Sequence, residues 1–242
     1  MTAKFKIVVL ECPYDTWDDP LSKDMFHKMV QLKMIGYKRE YPYGVLPVDT
    51  SDFVATHHLI CLDERGELNP VMAYRTVTLE RAKLHSMSLP VLNLMNMIGA
   101  KEHAEKIQSI ITNCEKQNKS LVYASSLAVH NDHKGNADLR TALRTIHVLY
   151  HKDAKIDEII AGGVIRFKMD KLYEFFGYSD LEWNGKVLPP VAVPFVFNEV
   201  TGFYHLRKFS EEAMNLAEAN RKLWENRITI SKSDSVPLKK VG

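Results

Sequence analysis

The segment SLVYASSLAV (120–129) constrains the fold more than any other. Leu121, Tyr123, Ser125, Leu127 and Val129 alternate with Val122, Ala124, Ser126 and Ala128, and both sets are apolar or small. Successive side chains on a strand point to opposite faces, so a strand apolar on both belongs inside a sheet that is covered on both sides. A polar loop with a single glycine, HNDHKGN (130–136), follows directly. A helical pattern over 137–151 comes next, with Leu139, Ala142, Leu143, Ile146, Leu149 and Tyr150 as its apolar stripe.

The flanking segments fit the same layered plan. FKIVVL (5–10) reads as a strand, and Asp18–Ile35 has helical spacing. Residues 36–52, rich in Gly, Pro and Tyr, read as a loop. Strands are expected at 53–62 and 70–79, joined by a turn around Asp-Glu-Arg-Gly. Residues 88–100 are apolar without a clear period, and 100–118 is a helix. A strand at 156–164 leads to a helix over 165–178 with Gly177 at its C-terminal cap. Residues 187–197 are extended, 210–227 is a helix capped by Ser210, and the last fifteen residues are loose. The order gives an α/β domain over 1–208, a mixed sheet with helices on both faces, then a C-terminal helix and tail over 209–242.

Composition excludes several functions. The chain has 242 residues, enough to bury a sizeable core, and a formal charge of only +2. It has no basic run with interleaved aromatics, so nucleic acid is not an expected partner. Its three cysteines, Cys12, Cys61 and Cys114, have neither disulfide nor zinc spacing. His57 and His58 are adjacent on a strand and cannot chelate one metal together, so no metal is expected. Without a signal segment or membrane-length apolar run, a cytoplasmic location is expected.

Two segments carry chemistry. In the 130–136 loop, Gly135 lets the backbone approach a ligand, and the amides of Gly135, Asn136, Ala137 and Asp138 open a helix. Such donors suit a phosphate, with Lys134 and Arg140 adding charge; the same residues also make an ordinary capped turn. The second segment, LYEFFGY (172–178), is an aromatic helix with a glycine cap.

In this order, about forty residues apart, Ser126-Leu127-Ala128-Val129 with Asp132-His133-Lys134-Gly135-Asn136-Ala137, and then Leu172 to Tyr178, resemble the GNAT (N-acetyltransferase-like) superfamily. VDTSDF (48–53) ahead of a strand pair that carries Arg75 is similar to the long-chain N-acyl amino acid synthases and the acyl-homoserine-lactone synthases.

The resemblance implies transfer of a medium or long acyl chain from a pantetheine thioester, acyl carrier protein or acyl-CoA, to a primary amine such as an amino acid or a homoserine-like acceptor. It implies that Leu127, Val129, Lys134, Gly135, Asn136 and Ala137 hold the donor. Tyr173 would protonate the leaving thiolate, with Asp49 or Asp52 taking the proton of the amine. Arg75, Ser126 and His58 would lie near the acceptor. The thioester is a co-substrate, and no cofactor stays bound. Apolar residues of 87–98, among them Leu89, Val91, Met95 and Met97, would line a chain tunnel. Lys134, Arg140, Arg144, Lys152, Arg166 and Lys168 would dock an acidic carrier protein. Asp132 departs from the family's loop, where Gln or Arg is usual. The departure fits a donor that presents less phosphate, or a non-catalytic ligand-sensing or partner-binding module of the same fold.

Overall fold

The computed structural model describes residues 5–37, 48–193 and 199–232. In chain order the elements are β1 (Phe5–Glu11), α1 (Pro20–Tyr37), α2 (Thr50–Val54), β2 (Thr56–Glu64), β3 (Glu67–Thr78), α3 (Leu79–Leu84), α4 (Pro90–Met97) and α5 (Lys101–Lys116). They continue with β4 (Leu121–Val129), α6 (Ala137–Asp153), β5 (Glu158–Val164), α7 (Met169–Phe176), β6 (Ser179–Asp180), β7 (Glu182–Trp183), β8 (Lys186–Val187) and β9 (Val191–Ala192). The last are β10 (Val200–Leu206), α8 (Glu211–Ala219), α9 (Arg221–Glu225) and β11 (Ile228–Ile230).

The main sheet runs β11-β1-β2-β3-β4-β5-β10-β6, with β9 also on β10. β1 to β4 pair antiparallel in sequence order, β4 and β5 pair parallel, and β10 returns antiparallel to β5. The expected mixed sheet is therefore present, and β4 lies inside it. On one face, α6 to α9 cover Val122, Ala124, Ile159 and Ala161. On the other, α1 covers Val8, Leu10, Leu59 and Ala73, while α4 and α5 cover Leu121, Tyr123, Ile160 and Phe203. Side chains that alternate in sequence thus enter different cores, which is the strand period acting on an almost wholly apolar segment.

Local sequence chemistry sets the connections. Arg65 and Gly66 both take positive φ (59° and 90°), the paired left-handed turn that matches strand twist between Glu64 and Glu67. Gly177 closes α7 at φ 95°, as its position after the aromatic run predicts. Ser210 caps α8, its Oγ accepting from the Ala213 amide at 3.1 Å.

Several elements differ from the sequence expectation. The strand expected from residue 53 begins at Thr56, because Asp49 and Asp52 form a reciprocal capping box that makes 50–54 a helical turn. Residues 90–97, without a clear period, are a helix started by Pro90. The helix expected over 210–227 is two helices that meet at Asn220, whose side chain donates to the Leu216 carbonyl at 2.9 Å. The extended segment 187–197 contributes only short strands, and part of it lies outside the described residues; the long strand is β10. The last fifteen residues are not all loose: β11 (228–230) pairs parallel with β1. Residues of the C-terminal part thereby form the edge strand of the main sheet.

Candidate functional site

β4 and β5 pair from Leu121–Glu158 to Ala124–Ala161 and then separate. Beyond that point, among the described residues, β5 pairs only with β10, and β4 only with β3. The β4–β3 register shifts between Ala73 and Arg75, so β4 carries one extra residue opposite Tyr74. Ser126 takes φ 59° within this bulge, a left-handed conformation that costs a non-glycine residue about 1–2 kcal/mol. The bend is held from one side by α1. Tyr37 Oη donates to the Leu127 carbonyl at 2.5 Å, and a Cβ on Gly36 would come within 3.3 Å of the Val129 carbonyl. The strands therefore splay, and among the described residues the β5-facing edge of β4 has no strand partner over 125–129.

α7 closes one side of the splay. Gly163 allows the contact: a Cβ there would fall 2.5 Å from Met169 Cβ and 2.9 Å from the Tyr173 ring. Tyr173 is buried and its Oη donates to the Gly162 carbonyl at 2.8 Å. Burial raises its phenol far above the ordinary tyrosine range, and the phenols of Tyr123, Tyr204 and Tyr37 add to the effect. The group is a proton donor throughout the neutral range. Beside it lies a narrow crevice of about 40 Å³, lined among others by Tyr74, Leu127, His147, Leu172 and Tyr173.

A buried ion cluster occupies the opposite face. Lys33 and Asp52 are almost fully buried, with Nζ and Oδ1 at 2.5 Å. Arg75 Nη1 lies 2.8 Å from the same Oδ1, while Nη1 and Nη2 donate to Asp49 at 3.0 and 3.2 Å. Asp52 Oδ2 accepts from the Asp49 amide at 3.1 Å, so both its oxygens are engaged. Burial alone raises the Asp52 carboxyl, but Arg75 and then Lys33 outweigh it and hold the group at about 2. Burial lowers Lys33, and Asp52 recovers part of that loss. His57 adds its Nε2 to the Asp52 carbonyl at 2.6 Å; burial lowers it to about 4, so it is neutral. Asp49 alone turns outward, 56% exposed. Arg75 Nε reaches toward Ser125 Oγ at 3.4 Å, which links the cluster to the splay.

The loop before α6 is built as the sequence reading expects. Asn136 Oδ1 accepts from the Leu139 amide at 3.0 Å, and Gly135 has φ 84°. The Lys134 and Asn136 amides are used within the loop, on Asn131 and His133 carbonyls. Those of Gly135, Ala137 and Asp138 have no partner among the described residues, a donor set fit for an anion. Asp132 is 82% exposed, with its carboxylate 3.7 Å from His130 Nδ1.

The structure brings Leu127, Val129, Tyr173 and the Gly135 loop around the splay, and Asp49, Asp52 and Arg75 into one cluster. It corrects three expectations. His58 points to the face opposite Arg75, stacked on Tyr74 at 4.4 Å, because adjacent strand residues alternate; His57 is the histidine on the cluster's side. Asp52 is too buried and too stabilised as an anion to take a proton from a substrate. The expected tunnel residues are core: Leu89, Val91 and Met95 pack against α5, while Met97 is exposed. Of the basic face, Lys152 pairs with Glu218, Arg166 with Glu199, and Arg144 lies over the Phe175 ring. Ser126 serves as the bulge residue. Among the described residues no His, Cys, Asp and Glu group can hold a metal, and no helix is long and apolar enough to cross a membrane.

Sequence reading did not assign Lys33, Tyr37, Tyr123 or Gly163 to the site. Lys33 left a signal: it is a charge at helical spacing on the apolar stripe of Phe26, Met29 and Val30.

No family model matches the chain, and no curated protein matches it in sequence. Solved structures do. The chain is similar to FeeM, an N-acyl amino acid synthase from uncultured soil microbes, at 16% identity and TM-score 0.55, covering 92% of this chain and 98% of that one. It is also similar to BjaI, a CoA-dependent acyl-homoserine lactone synthase solved with SAM and isopentyl-CoA, at 14% identity and TM-score 0.58, covering 96% of each chain. A third is the AHL synthase LasI, at 11% identity and TM-score 0.52, with 87% and 94% covered. The shared architecture is the GNAT fold, the fold class expected from the two motif segments.

Proposed function

We propose that this chain is an N-acyltransferase that moves an acyl group from a pantetheine thioester to the primary amine of a small acceptor. One observation carries the reading. The splay has a buried, protonated Tyr173 on one face and the Asp49–Arg75 pair on the other, so a thioester in the gap has a proton donor and an acceptor platform on opposite sides. The acyl-transferring neighbours of the same fold support it.

The pantetheine amides add as a strand to the free edge of β4 over 125–129. Its phosphate meets the unpartnered amides of Gly135, Ala137 and Asp138, and coenzyme A or acyl carrier protein supplies the arm. Asp49, its carboxylate oriented by Arg75, holds the acceptor ammonium and passes its first proton to water. The amine attacks the thioester carbonyl, the N–C bond forms, and the C–S bond breaks. Tyr173 protonates the thiolate and regains a proton from the nitrogen as the amide forms. No enzyme-bound intermediate is required, and the three buried cysteines take no part. Asp52, shared between Lys33 and Arg75, holds Arg75 in place rather than reacting.

The test is incubation with acyl-CoA and acyl-carrier-protein donors and pooled amino acids, with N-acyl products read by mass spectrometry and thiol release by absorbance. Tyr173→Phe is expected to lower kcat by about 10²-fold or more with donor KM little changed. Full turnover by that variant removes the assignment. Tight donor binding without any product points instead to a ligand-sensing module of the same fold.

A further inference from the structure

The crevice between β4, β5, α6 and α7 has an open end and a closed one. Leu127, Gly162 and Leu172 are half-buried and form its mouth, where Tyr173 Oη donates to the Gly162 carbonyl. Ala124, Leu143, His147 and Phe176 are buried and form its inner wall.

Side-chain size sets how deep the space runs. Ala124 stands at the last β4–β5 pair, and its single methyl leaves room there. Leu143 and His147 lie one turn apart on α6 and present one face to the crevice. The His147 ring packs 4.4 Å from that of Phe176, and its Nε2 is 2.8 Å from Tyr178 Oη. The wall therefore cannot turn aside without breaking a buried hydrogen bond. Ile146 and Leu149 root α6 itself in the same core.

An apolar cavity of about 150 Å³ holds a six-carbon ring, or about 25 Å³ for each carbon. On that scale the crevice, at about 40 Å³, has room for about two carbons beyond a carbonyl held at its mouth. An octanoyl tail needs about four times as much. It would have to push Leu143, His147 or Phe176 out of close packing, and overpacking a core is unfavourable.

We propose that the donor's acyl group is short, about two or three carbons, and that this wall sets the limit, with Ala124 and Leu143 as specificity determinants. The inference rests on the acyltransferase reading above and names its donor class. It departs from the medium or long chain that the sequence resemblance implies. The apolar segment expected to line a tunnel is packed core, and the crevice that meets Tyr173 is closed by buried side chains.

The test is calorimetric binding of phosphopantetheine and its acetyl, propanoyl, hexanoyl and decanoyl thioesters, without acceptor, to the full chain, to Leu143→Ala and to Ala124→Val. The wild type should bind the propanoyl thioester about tenfold or more tighter than the decanoyl one. Leu143→Ala deepens the crevice and should raise hexanoyl affinity relative to propanoyl by about tenfold. Ala124→Val narrows it and should weaken propanoyl binding by about tenfold, with free phosphopantetheine unchanged. A merely destabilising substitution would not move the preferred length in opposite directions. Ala124→Val removes no atoms and carries the test alone if Leu143→Ala does not fold. Decanoyl binding as tight as propanoyl in the wild type overturns the inference and leaves the acyltransferase reading standing, as does a length profile that neither variant moves. Equal affinity for every thioester and for free phosphopantetheine means that the acyl group lies outside the crevice, and the inference falls. If none of them binds, the same profile is read from the N-acyl product formed with each chain length; no product from any donor removes both.

Discussion

At the scale of single residues, Asp49 and Asp52 stand three positions apart in one capping box but have different duties. Asp52 is sealed between Lys33 and Arg75; Asp49 faces outward. Asp52→Asn leaves two buried cations without their shared anion and should cost about 3–5 kcal/mol in urea unfolding. Asp49→Asn should cost under about 1 kcal/mol and raise acceptor KM instead, leaving donor binding unchanged. Equal stability losses in the two variants would contradict the division. The resemblance of VDTSDF and the Arg75 strand pair to the acyl synthases marked both aspartates and Arg75. It could not separate their roles, since burial depends on Lys33, which arrives from a helix nineteen residues away. It also assigned the wrong member of the His57–His58 pair, because strand alternation says that two neighbours part and not which one turns to which face.

At the scale of elements, the α7 position depends on the absence of a side chain in β5. Gly163→Ala forces a Cβ against Met169 Cβ and the Tyr173 ring, neither of which is the free end of a flexible chain. Overpacking of this kind costs about 1–3 kcal/mol, and the shift should lower turnover more than it lowers donor affinity. A crystal structure of the variant with Tyr173 Oη still 2.8 Å from the Gly162 carbonyl would refute the argument. The elements around β4 were readable in sequence because their periods are strong: the doubly apolar strand, the striped α6, the glycine-capped α7. The β4 bulge was not. It is specified by pairing with β3 and by Tyr37, both remote in sequence, and Ser126 has no local preference for φ 59°.

At the scale of the whole molecule, the two faces of the sheet together carry an unusual load of buried histidine, His57 on the cluster's side and His58, His147 and His151 on the α6 side. Burial lowers His57 and His151 to about 4 and moves His58 and His147 well below the ordinary value. All four are neutral in the native state, while the unfolded chain binds protons from about pH 6.5 downward. Stability is therefore complete above pH 6.5 and declines as pH falls toward 4, by about 1.4 kcal/mol per unit for each histidine not yet protonated in the native state. Asp52 adds its own loss only below its unfolded value of 3.8. Urea midpoints at pH 7.5, 6.0 and 5.0 measure this; a flat profile would mean that the histidines are accessible to protons in the folded chain. One more consequence concerns the parallel pairing of β11 with β1. The second described strand to be synthesised, β2, covers only one edge of the first, and the partner for its other edge leaves the ribosome after every other described strand. A nascent chain shorter than Ile230 therefore presents β1 as an open template, so chains stopped at Asn226 should self-associate where the full chain does not.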